Sequence, residues 1–238
     1  MSTWSRWLQW LQRTPPVVLD DLQRHRLQHW QALPDTDWQQ NARHTRLLVV
    51  DVEASGLNLR RDKLISIGSV ALQDGGIDPR QAFEVVLRQQ QVSSSDNILI
   101  HGISGAQQRE GTPPAEALLQ FLEYSGKAPL VAYHAFFDQH MIATAMRHHL
   151  GIRYQPRWLD LAWLLPSLFA SRQAHVVALD DWLQRFGIRN HRRHNAIADC
   201  LATAQLLQLA LHRAEERGIT TLKALAASER LRRHNNPV

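Results

Sequence analysis

The sequence predicts a mixed α/β domain in which a five-stranded sheet is flanked by helices. Three strand-like segments follow one another at 47–50, 64–72 and 82–87, and Gly75-Gly76 forms the turn before the last of them. Helix-like and strand-like segments alternate after this meander, which is typical of a sheet with helices packed around it. The 238 residues, of which 44% are hydrophobic, fit one domain of ordinary size with its own core.

The individual elements follow from local patterns. Leu47-Leu48-Val49-Val50 is a short apolar run typical of a buried strand, and the segment 64–72 alternates well enough for a second one. Proline fits the first turn of a helix, so Pro113-Pro114 predicts a helix that runs through Tyr124. The remaining predicted elements are strands at 130–133 and 157–161 and helices at 138–150, about 178–186 and about 195–216.

The two ends of the chain differ from its middle. Residues 1–45 are rich in tryptophan, glutamine and arginine, and their apolar residues recur at helical spacing. We therefore divide the chain into a helical N-terminal extension at 1–45, a central domain at 46–212 and a helical C-terminal tail at 213–238. The extension is expected to pack on the domain or on a partner.

Composition restricts the classes of function. The single cysteine, Cys200, excludes an intramolecular disulfide and a cysteine-built zinc site, which favours a reducing compartment, the cytoplasm. No run approaches the length of about 20 apolar residues that a membrane span needs, and arginines interrupt the N-terminus, so we expect neither a span nor a secretory signal. The net charge of +5 fits either a polyanionic partner or a solubilising basic surface.

Two acids stand directly after the first apolar strand, in Asp51-Val52-Glu53. On a strand, residues two apart point to the same face and lie about 6.6 Å apart along the chain. Carboxylates about 4 Å apart repel by about 4 kcal/mol at an effective dielectric near 20, and a divalent cation reverses that sign. The pair indicates a metal site; the alternatives are a solvated strand end and a turn-forming aspartate.

Two later segments carry further acids. Asp138 follows the predicted strand at 130–133 and stands where a helix begins, so it is either a ligand or a helix N-cap. Asp199 lies near the start of the last predicted helix of the central domain, five positions after His194. Five residues on a helix turn by about 140°, so His194 and Asp199 can share a site only if His194 lies in the loop before the helix.

Together these segments resemble the DEDDh 3′→5′ exonucleases, the DnaQ-like group of the ribonuclease H-like superfamily that includes the polymerase epsilon subunit. Asp51-Val52-Glu53-Ala54-Ser55-Gly56-Leu57 resembles the first motif of that family. Ile100-His101-Gly102-Ile103-Ser104 looks like its segment near the substrate 3′ end. The Asp138 segment is similar to the second motif, and His194 to Asp199 has the spacing of the third. The motif residues usually differ at Val52, Ala54 and His134, none of which is a metal ligand.

The resemblance implies an activity and a set of roles. It implies a ribonuclease H-like fold and a metal-dependent enzyme that releases nucleoside 5′-monophosphates from nucleic-acid 3′ ends of single-stranded DNA or RNA. Two Mg²⁺ or Mn²⁺ ions would be held by Asp51, Glu53, Asp138 and Asp199, with His194 as general base. The residues implied to contact substrate are Gly56, Leu57, His101, Ile103 and Phe137.

Clusters of cations flank the motifs. Arg60, Arg61 and Lys63 follow the first motif, and Arg189, Arg192 and Arg193 precede the third. We hypothesise that these side chains steer the substrate backbone, since lysine and arginine neutralise phosphates.

Several alternatives stay open at this point. The chain could instead be a binding or regulatory module of the same fold that docks a partner through its tryptophan-rich N-terminus. It could also be a metal-dependent phosphatase or phosphodiesterase acting on small nucleotides. The choice between DNA and RNA, a polymerase or other protein partner, homodimer formation, and a role in proofreading, DNA repair or RNA trimming are not decided by the sequence.

Overall fold

The computed structural model describes residues 17–169, 178–190 and 194–235, and a mixed sheet lies at their centre. The strands are β1 (Leu47–Ala54), β2 (Leu64–Gln73), β3 (Gly76–Ile77), β4 (Phe83–Val86), β5 (Leu130–Ala132) and β6 (Trp158–Asp160). They are ordered β3-β2-β1-β5-β6, and β4 pairs with β2 further along the edge that β3 also occupies.

Helices surround this sheet in the described part of the chain. They are α1 (Asp21–Ala32), α2 (Ser95–His101), α3 (Gly105–Glu110), α4 (Pro114–Ser125), α5 (Phe136–Leu150), α6 (Leu161–Phe169), α7 (Leu179–Arg185), α8 (Ala196–Glu216) and α9 (Leu222–Asn235). None of these helices combines the length and the hydropathy that crossing a bilayer requires.

The predicted fold class is confirmed. The five predicted strands correspond to β1, β2, β4, β5 and β6, and the two-residue β3 is an addition that follows the Gly75 turn. Helices α2 and α3 are short and α6 is apolar almost throughout with an internal Pro166, so none of them has the amphipathic period that reveals a helix in sequence.

The register of the strands places the functional segments at one edge of the sheet. β1 pairs with β2 in antiparallel fashion, with Asp51 opposite Gly68, and it pairs with β5 in parallel fashion. β5 and β6 are also parallel. The carboxyl ends of β1, β5 and β6 therefore lie together, and the chain leaves each of them at the same edge.

Both faces of the sheet are covered. Leu47 and Val49 of β1 belong to a core that includes α6, α8 and α9, whereas Leu48 and Val50 belong to a core with α4 and α5. This alternation is the period of two expected of a strand buried on both faces. It also decides which helix each later residue of β1 will meet.

The segments on either side of the central domain pack against it. Leu27 of α1 is buried, and Arg26 bonds to Glu116 and Glu123 of α4 at 2.6 Å each. At the other end, α9 lies against α6 and β6. Residues 1–16 of the predicted extension lie outside the described residues.

Candidate active site

Strand β1 directs two carboxylates to one face. It continues past the apolar run to Ala54, and Asp51 and Glu53 are half-buried on the side of Leu47 and Val49. That side faces α8, which also packs on β2. The alternation of the strand thus points both acids at the helix that carries Asp199.

Helix α8 brings the third acid. Asn195 caps the helix by accepting a hydrogen bond from the Ala198 backbone N–H at 3.1 Å, so Asp199 lies in the first turns of the helix. Carboxylate oxygens of Asp51, Glu53 and Asp199 all lie within 4.8 Å of one another. Acids 148 positions apart in the chain (199 − 51) therefore meet on one side of the sheet.

A glycine in β2 permits this close approach. A Cβ atom built on Gly68 would lie 2.6 Å from the Cβ of Ala196 and 2.8 Å from its carbonyl carbon. Gly68 is the residue opposite Asp51, so the first residue of α8 rests on the strand beside the acids. The signal in the sequence is a glycine inside a strand, which often marks a close backbone contact.

Asp138 joins from the other face of the sheet. It is the third residue of α5, and its Oδ1 accepts a hydrogen bond from the Val52 backbone N–H at 3.1 Å. The backbone N–H of Leu48, on the same side of β1 as that of Val52, donates to the Pro129 carbonyl oxygen beside β5. Because β5 ends at Ala132, the N–H of Val52 lies beyond that strand and bonds to the Asp138 carboxylate instead. Asp138 is therefore not the N-cap of its helix, which is Ala135.

The electrostatics of these carboxylates are those of a crowded anionic site. Burial, and then the charge of Asp51, raise the pKa of the Asp138 carboxyl well above its ordinary value. Burial also raises the pKa of the Cys200 thiol, and the charges of Asp51, Asp138 and Asp199 add to that rise. An all-oxygen donor set suits a hard divalent cation such as Mg²⁺ or Mn²⁺, whose charge would offset the repulsion.

His194 lies in the loop before α8. Its backbone has a φ of 60°, and its N–H donates to Asp199 Oδ2 at 3.0 Å while the residue is exposed. The Asn190 amide also donates to Asp199. The geometric condition for His194 and Asp199 to share a site is thus met. Arg192 and Arg193 lie outside the described residues.

The loop after the first motif is organised by Asp62. Its carboxylate accepts hydrogen bonds from Ser55 Oγ at 2.9 Å and from the Asn58 backbone N–H at 2.7 Å. A Cβ atom on Gly56 would lie 2.5 Å from Asp62 Oδ2, so a larger residue here would displace the Asp62 side chain from these hydrogen bonds. Leu57, at the tip, is 87% exposed.

Of the other residues implied to contact substrate, His101 and Ile103 are buried and Phe137 is half-buried against the core. His101 Nδ1 accepts a hydrogen bond from the Ile103 backbone N–H at 3.0 Å, and Nε2 lies 3.2 Å from Ser93 Oγ. Burial lowers the pKa of this imidazole. Large apolar side chains are instead exposed beside these three: Leu99, Ile100 and Phe136.

Sequence reasoning missed a further acid, Asp160, at the end of β6. It is buried and accepts hydrogen bonds from the backbone N–H groups of His134 and Ala162 at 3.0 Å each. His134 has a φ of 61° and belongs to the turn that leads into α5. Glu229 and Arg233 of α9 close this second cluster, with Arg233 2.8 Å from Glu229 and 3.3 Å from Asp160. The two acids are 69 positions apart, and no local pattern links them.

Comparison with known proteins gives consistent relatives. The family model RNase_T, described as exonuclease, matches residues 48–207. A DNA polymerase III PolC-type of Thermotoga petrophila is 26% identical over 178 residues, which cover 75% of this chain and 13% of that protein. A DNA polymerase III subunit epsilon-like protein of Rhodobacter capsulatus is 26% identical over 186 residues, 77% of this chain and 26% of the relative. The chain thus spans only a small part of these relatives.

Solved structures share the fold. E. coli Exonuclease I in complex with a dA16 oligonucleotide superposes with a TM-score of 0.62 at 15% identity, covering 73% of this chain and 42% of that one. Exonuclease X in complex with 5′ overhanging duplex DNA gives 0.57 at 21% identity, covering 77% and 99%.

The sheet, the carboxylate cluster and these matches define the class: an exonuclease-type domain of ribonuclease H-like fold with an acidic cluster whose oxygen donors suit a divalent metal. More narrowly, the chain belongs to the RNase T exonuclease family, with the DnaQ-like, DEDDh-type relatives described above.

Proposed function

We propose that this protein is a 3′→5′ exonuclease that releases nucleoside 5′-monophosphates one at a time from the ends of single-stranded DNA or RNA. The observation that carries the proposal is the meeting of the Asp51, Glu53 and Asp199 carboxylates within 4.8 Å, with His194 anchored to Asp199 through its backbone. The catalytic unit would be residues 46–212, flanked by the segments at 1–45 and 213–238.

The proposed catalytic residues are metal ligands and one general base. Asp51, Glu53, Asp138 and Asp199 would hold two Mg²⁺ or Mn²⁺ ions, with oxygen donors of the kind these ions prefer. When bound, such ions offset the charge of the phosphodiester and lower the pKa of a coordinated water.

His194 would act as general base. Its imidazole is exposed and offers a ring nitrogen that can accept the proton of the attacking water, the role that histidine takes most often in general base catalysis. The water oxygen forms a bond to phosphorus, and the bond between phosphorus and the 3′ oxygen of the preceding nucleotide breaks. That oxygen leaves with a proton from solvent, and the released nucleotide carries a 5′-phosphate.

Exposed apolar side chains would hold the terminal bases. Leu57, Leu99 and Phe136 are 87%, 84% and 67% exposed, so their apolar surfaces are open to a base from solution. The Asn97 amide of α2 donates to the carbonyl of Ser55, which ties α2 to the loop that carries Leu57. His101, Ile103 and Phe137 would then support this surface from within, and Gly56 would shape the loop.

The experiment measures the end from which the strand is degraded and the chemical form of the released nucleotide. A strand labelled at its 5′ end, supplied with Mn²⁺ or Mg²⁺, should shorten in single-nucleotide steps and release nucleoside 5′-monophosphates, and excess chelator should stop the reaction. Cleavage that begins at the 5′ end, release of 3′-monophosphates, or full activity in chelator would reject the proposal. Matched DNA and RNA strands, single and double, define the preferred substrate.

The relatives named as polymerases raise a second question, which is whether the enzyme acts beside a polymerase. We propose a polymerase or another protein as partner of residues outside the catalytic unit. Co-purification from a tagged full chain, compared with the chain lacking residues 1–45, tests this partner, and loss of nuclease rate on that deletion would instead assign the segment to the enzyme itself. Size-exclusion chromatography with light scattering tests for a homodimer.

A further inference from the structure

A second surface near the site has the chemistry of a phosphate-binding groove. The groove has a volume of about 610 Å³ and lies between the loop that follows the first motif, the segment that follows β4, and α5. Leu59, Leu87 and Met141 line it together with several cationic side chains.

The cations of this groove form no ion pair with any of the described residues. Arg60, Arg61, Lys63 and Arg88 line it, and all are exposed. Throughout the described ranges, none of these four has a carboxylate within 4.0 Å, whereas other arginines have such partners: Arg26, Arg43, Arg80, Arg213 and Arg233. Among the described lining residues the acid is Asp62, whose carboxylate already accepts hydrogen bonds from its own loop. The groove therefore presents a net positive charge to solvent.

The groove begins beside the candidate active site and leads away from it. His140 Nε2 lies 3.0 Å from the Leu59 carbonyl oxygen, which fixes the loop against α5. Met141 follows Asp138 by three residues, and His148, also in the lining, follows it by ten. The α5 residues of the lining run from Met141 to His149, which is about 12 Å at about 1.5 Å per residue and matches the length of three to four stacked nucleotides at about 3.4 Å each.

We propose that this groove binds the phosphates of the strand some nucleotides upstream of its 3′ end, so that the enzyme is built for oligonucleotides and not for dinucleotides. The inference rests on the proposed function and adds Arg88 and α5 to the cations already noted in the sequence. Cations distributed along a groove fit a chain of phosphates better than a single anion, and arginine pairs with phosphate through two N–H groups.

The first test compares substrate lengths. The ratio of kcat/KM for a single strand of about twelve nucleotides to that for a trinucleotide should be about 30 or more in the wild type, and it should fall towards one, about 30-fold, when Arg60, Arg61, Lys63 and Arg88 are all changed to Gln. Arg88→Gln alone should lower the ratio about two- to fivefold. Arg147→Gln removes the same charge from an exposed position of α5 outside the groove lining, and it should leave the ratio unchanged.

The second test measures binding without turnover. Fluorescence anisotropy of a labelled oligothymidylate of about twelve nucleotides, recorded without metal, gives the dependence of log K on log salt. Each phosphate contact to a single strand contributes about 0.7 to that slope, so the quadruple variant should lose about 2.8. Polyglutamate at equal charge concentration should compete poorly.

The outcomes separate the two proposals. Hydrolysis of neither substrate by the wild type would reject the proposed function. Hydrolysis with equal kcat/KM for the two lengths, or a quadruple variant with an unchanged length ratio and salt slope, would reject the groove and leave the nuclease in place. Equal competition by polyglutamate would reject nucleic acid as the occupant.

Discussion

Two clusters of acidic side chains lie at the carboxyl edge of the sheet, one beyond β1 and the other at the end of β6. In the first, Asp51, Glu53 and Asp199 bring their oxygens within 4.8 Å of each other, and Asp138 adds a buried carboxyl. In the second, Asp160 and Glu229 meet Arg233, which lies one turn after Glu229 on α9.

The difference concerns the source of the compensating charge. An ionised carboxyl removed from water is costly unless a cation accompanies it. At Asp160 the protein supplies that cation as a side chain on a fixed helix, and the cluster holds the turn at His134. At Asp51 the protein brings together carboxylates from β1 and α8, with Asp138 of α5 near enough for the charge of Asp51 to raise its pKa, and this arrangement fits a cation taken from solution. The stability of the protein should therefore depend on divalent metal through the first cluster and on pH through the second.

The largest expected effect is on catalytic activity, which should depend on the first cluster and not on the second. Asp199→Asn should lower kcat/KM by about 10³-fold, because it removes a proposed metal ligand, and His194→Ala should lower it by about 10²- to 10⁴-fold, because it removes the proposed general base. Glu229→Gln, in the other cluster, should change kcat/KM by less than about threefold. Initial rates on a 5′-labelled strand measure all three, with circular dichroism as a check of folding. Equal losses at Asp199 and Glu229 would remove the distinction.

The next effect concerns stability with metal. Mn²⁺ at about 100 times its dissociation constant should stabilise the fold by about 2.7 kcal/mol and raise Tm by about 5–10 °C. Asp51→Asn should abolish the shift, whereas Arg233→Met should retain it although its starting Tm is lower. Scanning calorimetry with and without chelator gives the comparison, and a shift that survives in Asp51→Asn would place the metal elsewhere.

A smaller effect is expected at Gly68, which lets α8 approach the first cluster. Gly68→Ala should destabilise the protein by about 1–3 kcal/mol, since the added Cβ would lie 2.6 Å from that of Ala196 and the helix must shift. It should also weaken the Mn²⁺ shift, because Asp199 moves with the helix. Gly76→Ala is the matched control, as the nearest atom to its added Cβ is 3.5 Å away. Urea unfolding measures the first effect and calorimetry the second.

How far the sequence predicts each cluster depends on how far apart the residues of that cluster lie along the chain. Asp51 and Glu53 share a face because β-strands alternate, and that alternation is visible in the sequence itself. Asp138 and Asp199 lie near these two acids only because β5 ends at Ala132 and α8 rests on Gly68, and no local pattern encodes either event. Their assignment to one site came from the resemblance to a family.

The second cluster shows more clearly which contacts the sequence alone does not predict. Asp160 stands in an apolar stretch and Glu229 in a polar helix, and each alone resembles an ordinary residue of its element. The helices α2 and α3 were missed for a related reason: their positions are fixed by Ser93, His101 and Gln108, which bond to one another in the interior. Such contacts between buried polar groups follow from packing and not from periodicity.

The smallest expected effect, a pH dependence of stability, belongs to the second cluster. Burial raises the pKa of both the Asp160 and the Glu229 carboxyl above their ordinary values of 3.8 and 4.5. Each group therefore binds its proton more tightly in the folded state, so the free energy of unfolding should fall as the pH rises from about 4 through the raised pKa values. Glu229→Gln should make the free energy of unfolding fall less steeply with pH. Its stability relative to the wild type should therefore rise as the pH increases from about 4 through the raised pKa values.

Arg233→Met should act in the opposite direction. The guanidinium lowers the pKa of both carboxyls, so its loss should raise them further, steepen the decline and cost about 1 kcal/mol at neutral pH, a modest value because the Arg233 side chain is 51% exposed. Arg147→Met removes an exposed arginine of α5 that forms no ion pair with a described residue, and it should leave the pH slope unchanged. Urea unfolding between pH 4 and neutral in the presence of chelator compares the variants at about one-unit steps. A slope that stays the same in Arg233→Met would mean that Asp160 and Glu229 are compensated by something other than this arginine, and the contrast between the two clusters would then have to be drawn differently.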